Sequence, residues 1–230
     1  MRRTLTSLLL AVLTAVLLTA TAQAAHASTY APDGGGAAPV AKKAAKALFF
    51  GDSYFVGGGC SPDRNQDMAY LAGSALGYAP VVRGAGGTGF VGSNPDYDAP
   101  DYLTQIDQGA LKVRDPKLVV IEGGSNDTGF PVSKIKKNAR TVLKIADQLY
   151  PDARLILMGP IQTFGSYSET DGIKIGLRQV ARSLGVPFIN AQKWTAGHDE
   201  WLCSDYVHPT YEGHAQIGAR LAEALAKRGA

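Results

Sequence analysis

From about residue 46 to the C-terminus, short apolar runs alternate with longer stretches in which apolar positions recur every three or four residues. The runs at 46–50, 80–82, 117–122, 154–158 and 186–190 are bounded by Gly, Pro or Asp. Several are apolar throughout, as strands buried on both faces require. Between them, 65–76, 132–150, 172–184 and 209–227 carry helical periods. The second is the clearest: Ile135, Ala139, Val142, Ala146 and Leu149 form one stripe, and Pro151 stops it. Gly185 stands where a C-terminal glycine would close the third, and Ile217, Leu221 and Leu225 share one face of the fourth. Such alternation predicts an α/β fold, a three-layer α/β/α sandwich around a mainly parallel sheet of about five strands. Ligands bind such sheets at the carboxyl ends of the strands, so the segments just after residues 50, 82 and 122 are where chemistry is expected.

Residues 1–27 follow another pattern. Arg2 and Arg3 precede an uncharged apolar run at 8–20, and the small-x-small sites Ala22-Gln23-Ala24 and Ala25-His26-Ala27 follow it. This is the layout of a cleaved secretory signal peptide, cut near residues 24–27. The run is shorter than the ~20 apolar residues of a membrane span, and no cysteine follows to take a lipid. Arg2-Arg3 alone does not specify the export route. Residues 28–46, rich in Ala, Gly and Pro around Gly34-Gly35-Gly36, read as a flexible lead. Residues 47–230 remain as one domain with room for a substantial core. The 23 basic and 20 acidic side chains nearly balance, more closely once Arg2 and Arg3 leave with the signal. No overall field then draws the chain to nucleic acid or an anionic membrane. Lys134, Lys136, Lys137, Arg140 and Lys144 fit the solvated face of one helix. The expected product is a secreted monomer without a stable membrane anchor.

Four blocks carry the candidate chemistry: Gly51-Asp52-Ser53-Tyr54, Gly84-Ala85-Gly86-Gly87-Thr88-Gly89, Gly123-Gly124-Ser125-Asn126-Asp127 and Asp205-Tyr206-Val207-His208. Together they supply a hydroxyl nucleophile, N–H donors for an oxyanion, and an imidazole with a carboxylate to fix its tautomer. In order and residue type they resemble the SGNH (GDSL-type) hydrolase superfamily of esterases, from about residue 48 to the C-terminus. The resemblance implies an SGNH/flavodoxin-like fold and ester hydrolysis through an acyl-enzyme, with no metal or organic cofactor. It implies Ser53 as nucleophile, His208 as base and Asp205 as its orienting acid. The oxyanion hole would combine the backbone N–H groups of Ser53 and of Gly87 or Gly86 with the Asn126 side chain. Two departures stand out: Tyr54 occupies a position where Leu is commoner, and Arg83 one where many members have Asn.

Rival readings of the same blocks fail on context. Gly84-x-Gly86-x-x-Gly89 matches the dinucleotide fingerprint, but that motif must open a helix, and Phe90-Val91-Gly92-Ser93-Asn94-Pro95 follows. A two-metal phosphoesterase needs an Asp-x-His pair and further histidines that the chain lacks. The two cysteines and four histidines show no metal-ligand spacing. His26 lies in the signal, His198 has no comparable neighbour, and His214 sits within the last helix. Asp52 and Asp127 read as residues that shape their turns. Cys60 and Cys203 flank the Ser53 and Asp205 blocks, and in an exported chain they are expected to pair. The substrate is a small-molecule, lipid or polysaccharide ester. Because no long apolar insertion suggests a lid, short acyl or carbohydrate-linked esters are favoured. A lipase or thioesterase of the same fold, or a non-catalytic cell-wall or glycan-binding module, is the alternative.

Overall fold

The computed structural model describes residues 43–60, 64–163 and 168–230. The expected signal peptide, and the lead as far as residue 42, lie outside them. Five strands form one sheet: β1 (Lys46–Gly51), β2 (Ala79–Gly84), β3 (Pro116–Glu122), β4 (Arg154–Met158) and β5 (Phe188–Ile189). All are parallel, in the order β2-β1-β3-β4-β5. The helices are α1 (Ser53–Val56), α2 (Met68–Ala75), α3 (Tyr102–Asp107), α4 (Val132–Leu149), α5 (Ser168–Ser183) and α6 (Tyr211–Ala226). No helix among the described residues is long and apolar enough to cross a membrane.

The strands read as continuous apolar runs because each face of the sheet is covered. Leu48, Phe50, Val119, Ile121, Leu155 and Leu157 pack against α3, α4 and α5. The alternate residues Ala47, Phe49, Leu118, Val120, Ile156 and Met158 pack against α1, α2 and α6. Phe49 and Phe50 are both fully buried, one on each side, and truncating either to Ala would cost about 3–5 kcal/mol. On α4 the predicted stripe is buried from Ile135 to Ala146, whereas Leu149 at the last turn is 51% exposed. The basic residues of α4 are exposed or half-buried.

Local differences from the sequence reading have local causes. The helix expected from residue 65 begins at Met68, because the Asp67 side chain accepts the Tyr70 N–H and caps it there. The last helix begins at Tyr211, with the Thr210 hydroxyl accepting the Gly213 N–H. β5 is only two residues long, since Pro187 has no N–H to give to a ladder. α1 and α3 are too short for a hydrophobic period to reveal, although Asp52 and Asp101 cap them.

Candidate active site

The sheet order places β1 beside β3, with β2 on the other side of β1. The chain therefore leaves β1 outward and returns to β3 inward, and a crevice opens where the two carboxyl ends part. Ser53 follows β1 and Asn126 follows β3, so both meet in this crevice. A cleft of about 910 Å³ runs through it, lined by Ser53, Gly86, Gly87, Asn126 and His208 among others. That volume suits a ligand of drug or oligosaccharide size.

Ser53 is the first residue of α1 and is 7% exposed. The opening N–H groups of a helix have no acceptor within it, so the backbone here is a donor in search of one. Asp52 turns the chain by accepting the Tyr54 N–H at 3.0 Å. Tyr54, the departure from the commoner Leu, has a purpose in this chain. Its buried phenol donates to the Val207 carbonyl at 3.1 Å and lies 3.4 Å from the Thr163 hydroxyl. A carbonyl only accepts, so α1 is tied by this bond to the residue preceding His208. Burial pushes the phenol well above its ordinary pKa.

The Asp205–His208 loop forms as its spacing suggests. Asp205 Oδ1 accepts the N–H groups of Val207 and His208, at 2.9 and 3.0 Å, and Oδ2 lies 2.8 Å from His208 Nδ1. Partial desolvation pushes this carboxyl up, but the imidazole and the two N–H groups outweigh it and hold the pKa at about 2. The other side of the ring faces Ser53. A methyl group on Gly58 would lie 3.0 Å from His208 Nε2 and 3.2 Å from Ser53 Cβ, so the imidazole and the serine face each other across bare backbone. None of the described hydrogen bonds joins them, and such contacts often tighten only in the substrate complex. Ser125 also lines the cleft, but its hydroxyl donates to the Ile161 carbonyl at 2.9 Å.

The glycine loop explains its own composition. A Cβ at Gly84 would lie 1.8 Å from the Gly51 carbonyl, and one at Gly89 would lie 2.7 Å from both oxygens of Asp127. These glycines serve close backbone approach within the protein. Gly86 turns toward Ser53, since a Cβ there would sit 3.5 Å from Ser53 Cβ, while the Gly87 α-carbon turns toward Asn94. Asp127 holds the loop by accepting the N–H groups of Phe90, Val91 and Gly92 at 2.8–3.0 Å. Burial raises its pKa against those bonds.

Asn126 is placed at the cleft but is not idle there. Its Nδ2 lies 2.9 Å from Asp52 Oδ2 and 3.0 Å from the Thr88 carbonyl. Both neighbours are acceptors, which fixes the amide orientation and engages both hydrogens. The sequence reading also missed Glu122. It is fully buried behind Ser53, and its Oε2 accepts the Asp52 N–H at 3.2 Å. The signal was an acid closing the apolar run Leu118–Ile121. His198 differs from expectation: Nδ1 lies 3.0 Å from Glu200, and the ring stacks on Trp201, away from the cleft. His214 is a core residue whose Nδ1 accepts the Met68 N–H. Cys60 and Cys203 are bonded, with Cα atoms 5.9 Å apart, so the bridge ties the segment after α1 to the loop of Asp205.

Sheet order and site together define an SGNH-type α/β hydrolase. The sequence pattern of the GDSL-like lipase/acylhydrolase family matches residues 49–216, and the chain belongs to that family. Its fold is similar to that of a family two carbohydrate esterase from Clostridium thermocellum, solved with cellohexaose (TM-score 0.66, 18% identity, covering 82% of this chain and 66% of that one). It is also similar to a carbohydrate esterase family 2 enzyme with a carbohydrate binding domain from Corynascus thermopiles (TM-score 0.66, 21% identity, 83% and 68% covered). Est24, a carbohydrate acetylesterase from Sinorhizobium meliloti, compares at TM-score 0.61 and 18% identity, with 80% and 99% covered. At these identities the likeness concerns the fold. No curated protein matches the sequence.

Proposed function

We propose that this protein is a secreted serine esterase that hydrolyses short-acyl or carbohydrate-linked carboxylic esters through an acyl-enzyme. The observation that carries the reading is the Asp205–His208 pair, held at 2.8 Å with the far ring nitrogen turned to Ser53. Ionised Asp205 fixes the Nδ1–H tautomer and supports the imidazolium formed when Nε2 takes the Ser53 proton. Ser53 Oγ bonds to the ester carbon, and the carbonyl oxygen takes up negative charge. The N–H groups of Ser53 and Gly87 meet that charge. Asn126 joins them by exchanging its bond to the Thr88 carbonyl for one to the oxyanion, a stronger acceptor. His208 then protonates the leaving alcohol, and afterwards takes a proton from the water that cleaves the acyl-enzyme.

The cleft lining points to the class of alcohol. Among the described residues that form it, Glu169 is the one carboxylate, and there is no Lys or Arg. A phosphorylated or carboxylated alcohol finds no counter-charge there, whereas sugar hydroxyls find Asn94, Thr128 and Thr163. Tyr97 at the rim is 82% exposed and offers a flat aromatic face to a sugar ring. The cellohexaose complex of the similar fold supports a polysaccharide ester. Export is supported by the Cys60–Cys203 bridge, which persists in oxidising compartments. We place the protein outside the cell as a monomer without a membrane anchor.

The test is an assay of the chain without residues 1–27 on acetyl, butyryl and longer nitrophenyl esters beside acetylated glycans. Ser53→Ala is expected to lower kcat by several orders of magnitude while remaining folded. A serine-directed phosphonate is expected to label Ser53 and not Ser125. Near-normal turnover by a pure, folded Ser53→Ala protein refutes the assignment.

A further inference from the structure

Asp52 and Glu122 bring two carboxyl groups together beside Ser53, near enough for a hydrogen bond between the side chains, and the Asp52 N–H lies 3.2 Å from Glu122 Oε2. Both are fully buried, and neither takes part in an ion pair among the described residues. Oε2 of Glu122 accepts the Asp52 N–H, while among the described residues no N–H or O–H reaches Oε1. Two anionic carboxylates cannot share such a site, so the pair must hold a proton.

The hydrogen bonds decide where that proton sits. Asp52 accepts an N–H at each oxygen, from Tyr54 at Oδ1 and from Asn126 at Oδ2. Those bonds favour its anion. Glu122 receives a single N–H and so carries the proton. We propose that Glu122 is a positioning residue of this site: as a neutral carboxylic acid it donates to Asp52, and it thereby fixes the carboxylate that holds the Asn126 amide and the Ser53 turn. Burial and the neighbouring Asp52 carboxyl raise the Glu122 pKa well above the usual range, and burial raises Asp52 to about 6.

The surroundings reinforce this state. α1 presents the Tyr54 phenol, α3 presents the buried Tyr102 phenol, and the turn after β3 presents the Asp127 carboxylate. His208, across the cleft, is a group of opposite potential charge that acts on Asp52. Loss of the shared proton would therefore place two negative charges beside a third, at Asp127, and loosen the turn. Because a raised pKa stabilises the fold below the group's ordinary value and ceases to do so above its folded value, the effect belongs on the alkaline side.

The proposal rests on the serine esterase reading for its kinetic consequence, so one arm of the test avoids turnover. Infrared difference spectra of the wild type should show the carbonyl stretch of a protonated carboxylic acid at neutral pH, and Glu122→Gln should remove it. In the kinetic arm, Glu122→Ala should lower kcat about 10- to 100-fold, as a small misplacement of reacting groups does. Glu122→Gln keeps a donor to Asp52 and should recover most of that loss. It also cannot lose the shared proton, so its kcat should hold to higher pH than the wild type's, with melting curves at each pH confirming the fold. An acid band that survives Glu122→Gln overturns the proposal, as do identical alkaline limbs in the two proteins. If neither protein hydrolyses any ester, the esterase reading fails, and the infrared arm still decides the proton's place.

Discussion

Gly58→Ala tests the proposed Ser53–His208 geometry more sharply than removal of either side chain. The methyl carbon would lie 2.7 Å from His208 Cδ2, 3.0 Å from Nε2 and 3.2 Å from Ser53 Cβ. Carbon atoms rest at about 3.5–4.0 Å, so the imidazole has to retreat by close to 1 Å. Asp205 resists, because three hydrogen bonds anchor it to the same loop. The Gly58 backbone is not in the left-handed region, so the alanine brings no backbone strain of its own. A 1 Å misplacement of reacting groups costs on the order of 10²-fold in rate. The assay is kcat on a short-chain nitrophenyl ester, with a melting curve to show that folding is intact. Since the methyl collides with the imidazole and Ser53, the groups proposed to react, KM should change less than kcat. A kcat within about threefold of the wild type would mean that Ser53 and His208 do not work across Gly58, and the proton transfer would need another path.

Tyr54→Phe removes the bond to the Val207 carbonyl while keeping the ring, and should destabilise the fold by about 1–2 kcal/mol with a lower kcat; denaturant melts and kinetics check both. Reduction of Cys60–Cys203 should cost about 2–5 kcal/mol of stability and lower activity before global unfolding, whereas two free thiols in the purified, unreduced protein by mass spectrometry would contradict the bridge. His214 is buried with its pKa lowered by burial, and secondarily by His208, to about 4 from 6.5. Its contribution is thus complete above pH 6.5 and disappears as pH falls through 4, about 3 kcal/mol in all. His214→Asn, which keeps an acceptor for the Met68 N–H, should flatten that part of the stability–pH curve.

The architecture was legible in the sequence because each strand must bury both faces. A run such as Leu118 to Ile121 has no polar residue to place, and only a sheet covered on both sides accommodates it. The four long helices were legible for the same reason, through their single buried stripe. What the pattern left out was short or capped. α1 and α3 are four and six residues long, less than two periods of an amphipathic repeat. Their capping aspartates, Asp52 and Asp101, were visible, but an Asp in a turn has many uses. The two-residue β5 is the converse: its apolar run is longer than its ladder, because pairing depends on the partner strand and on Pro187.

The site was legible as a set of residue types but not as a set of partners, and its carboxylates show why. Four acids gather at the carboxyl edge, and a sequence gives each the same letter and the same charge. The structure separates them by how many donors each receives. Asp127 has three backbone N–H groups and Asp205 has two with an imidazole. Asp52 has one N–H with an amide, and Glu122 has one N–H alone. Donors stabilise the anion and burial opposes it, so this ranking is also a ranking of where charge can reside. Asp205, half open to solvent and well supplied, is free to support a cation on His208. Glu122, sealed and poorly supplied, is the natural place for a proton. Between them Asp52 serves the Ser53 turn and the Asn126 amide at once. A substitution at Asp52 therefore cannot be read as the loss of one contact: the cap of α1, the amide and the partner of Glu122 would all change together.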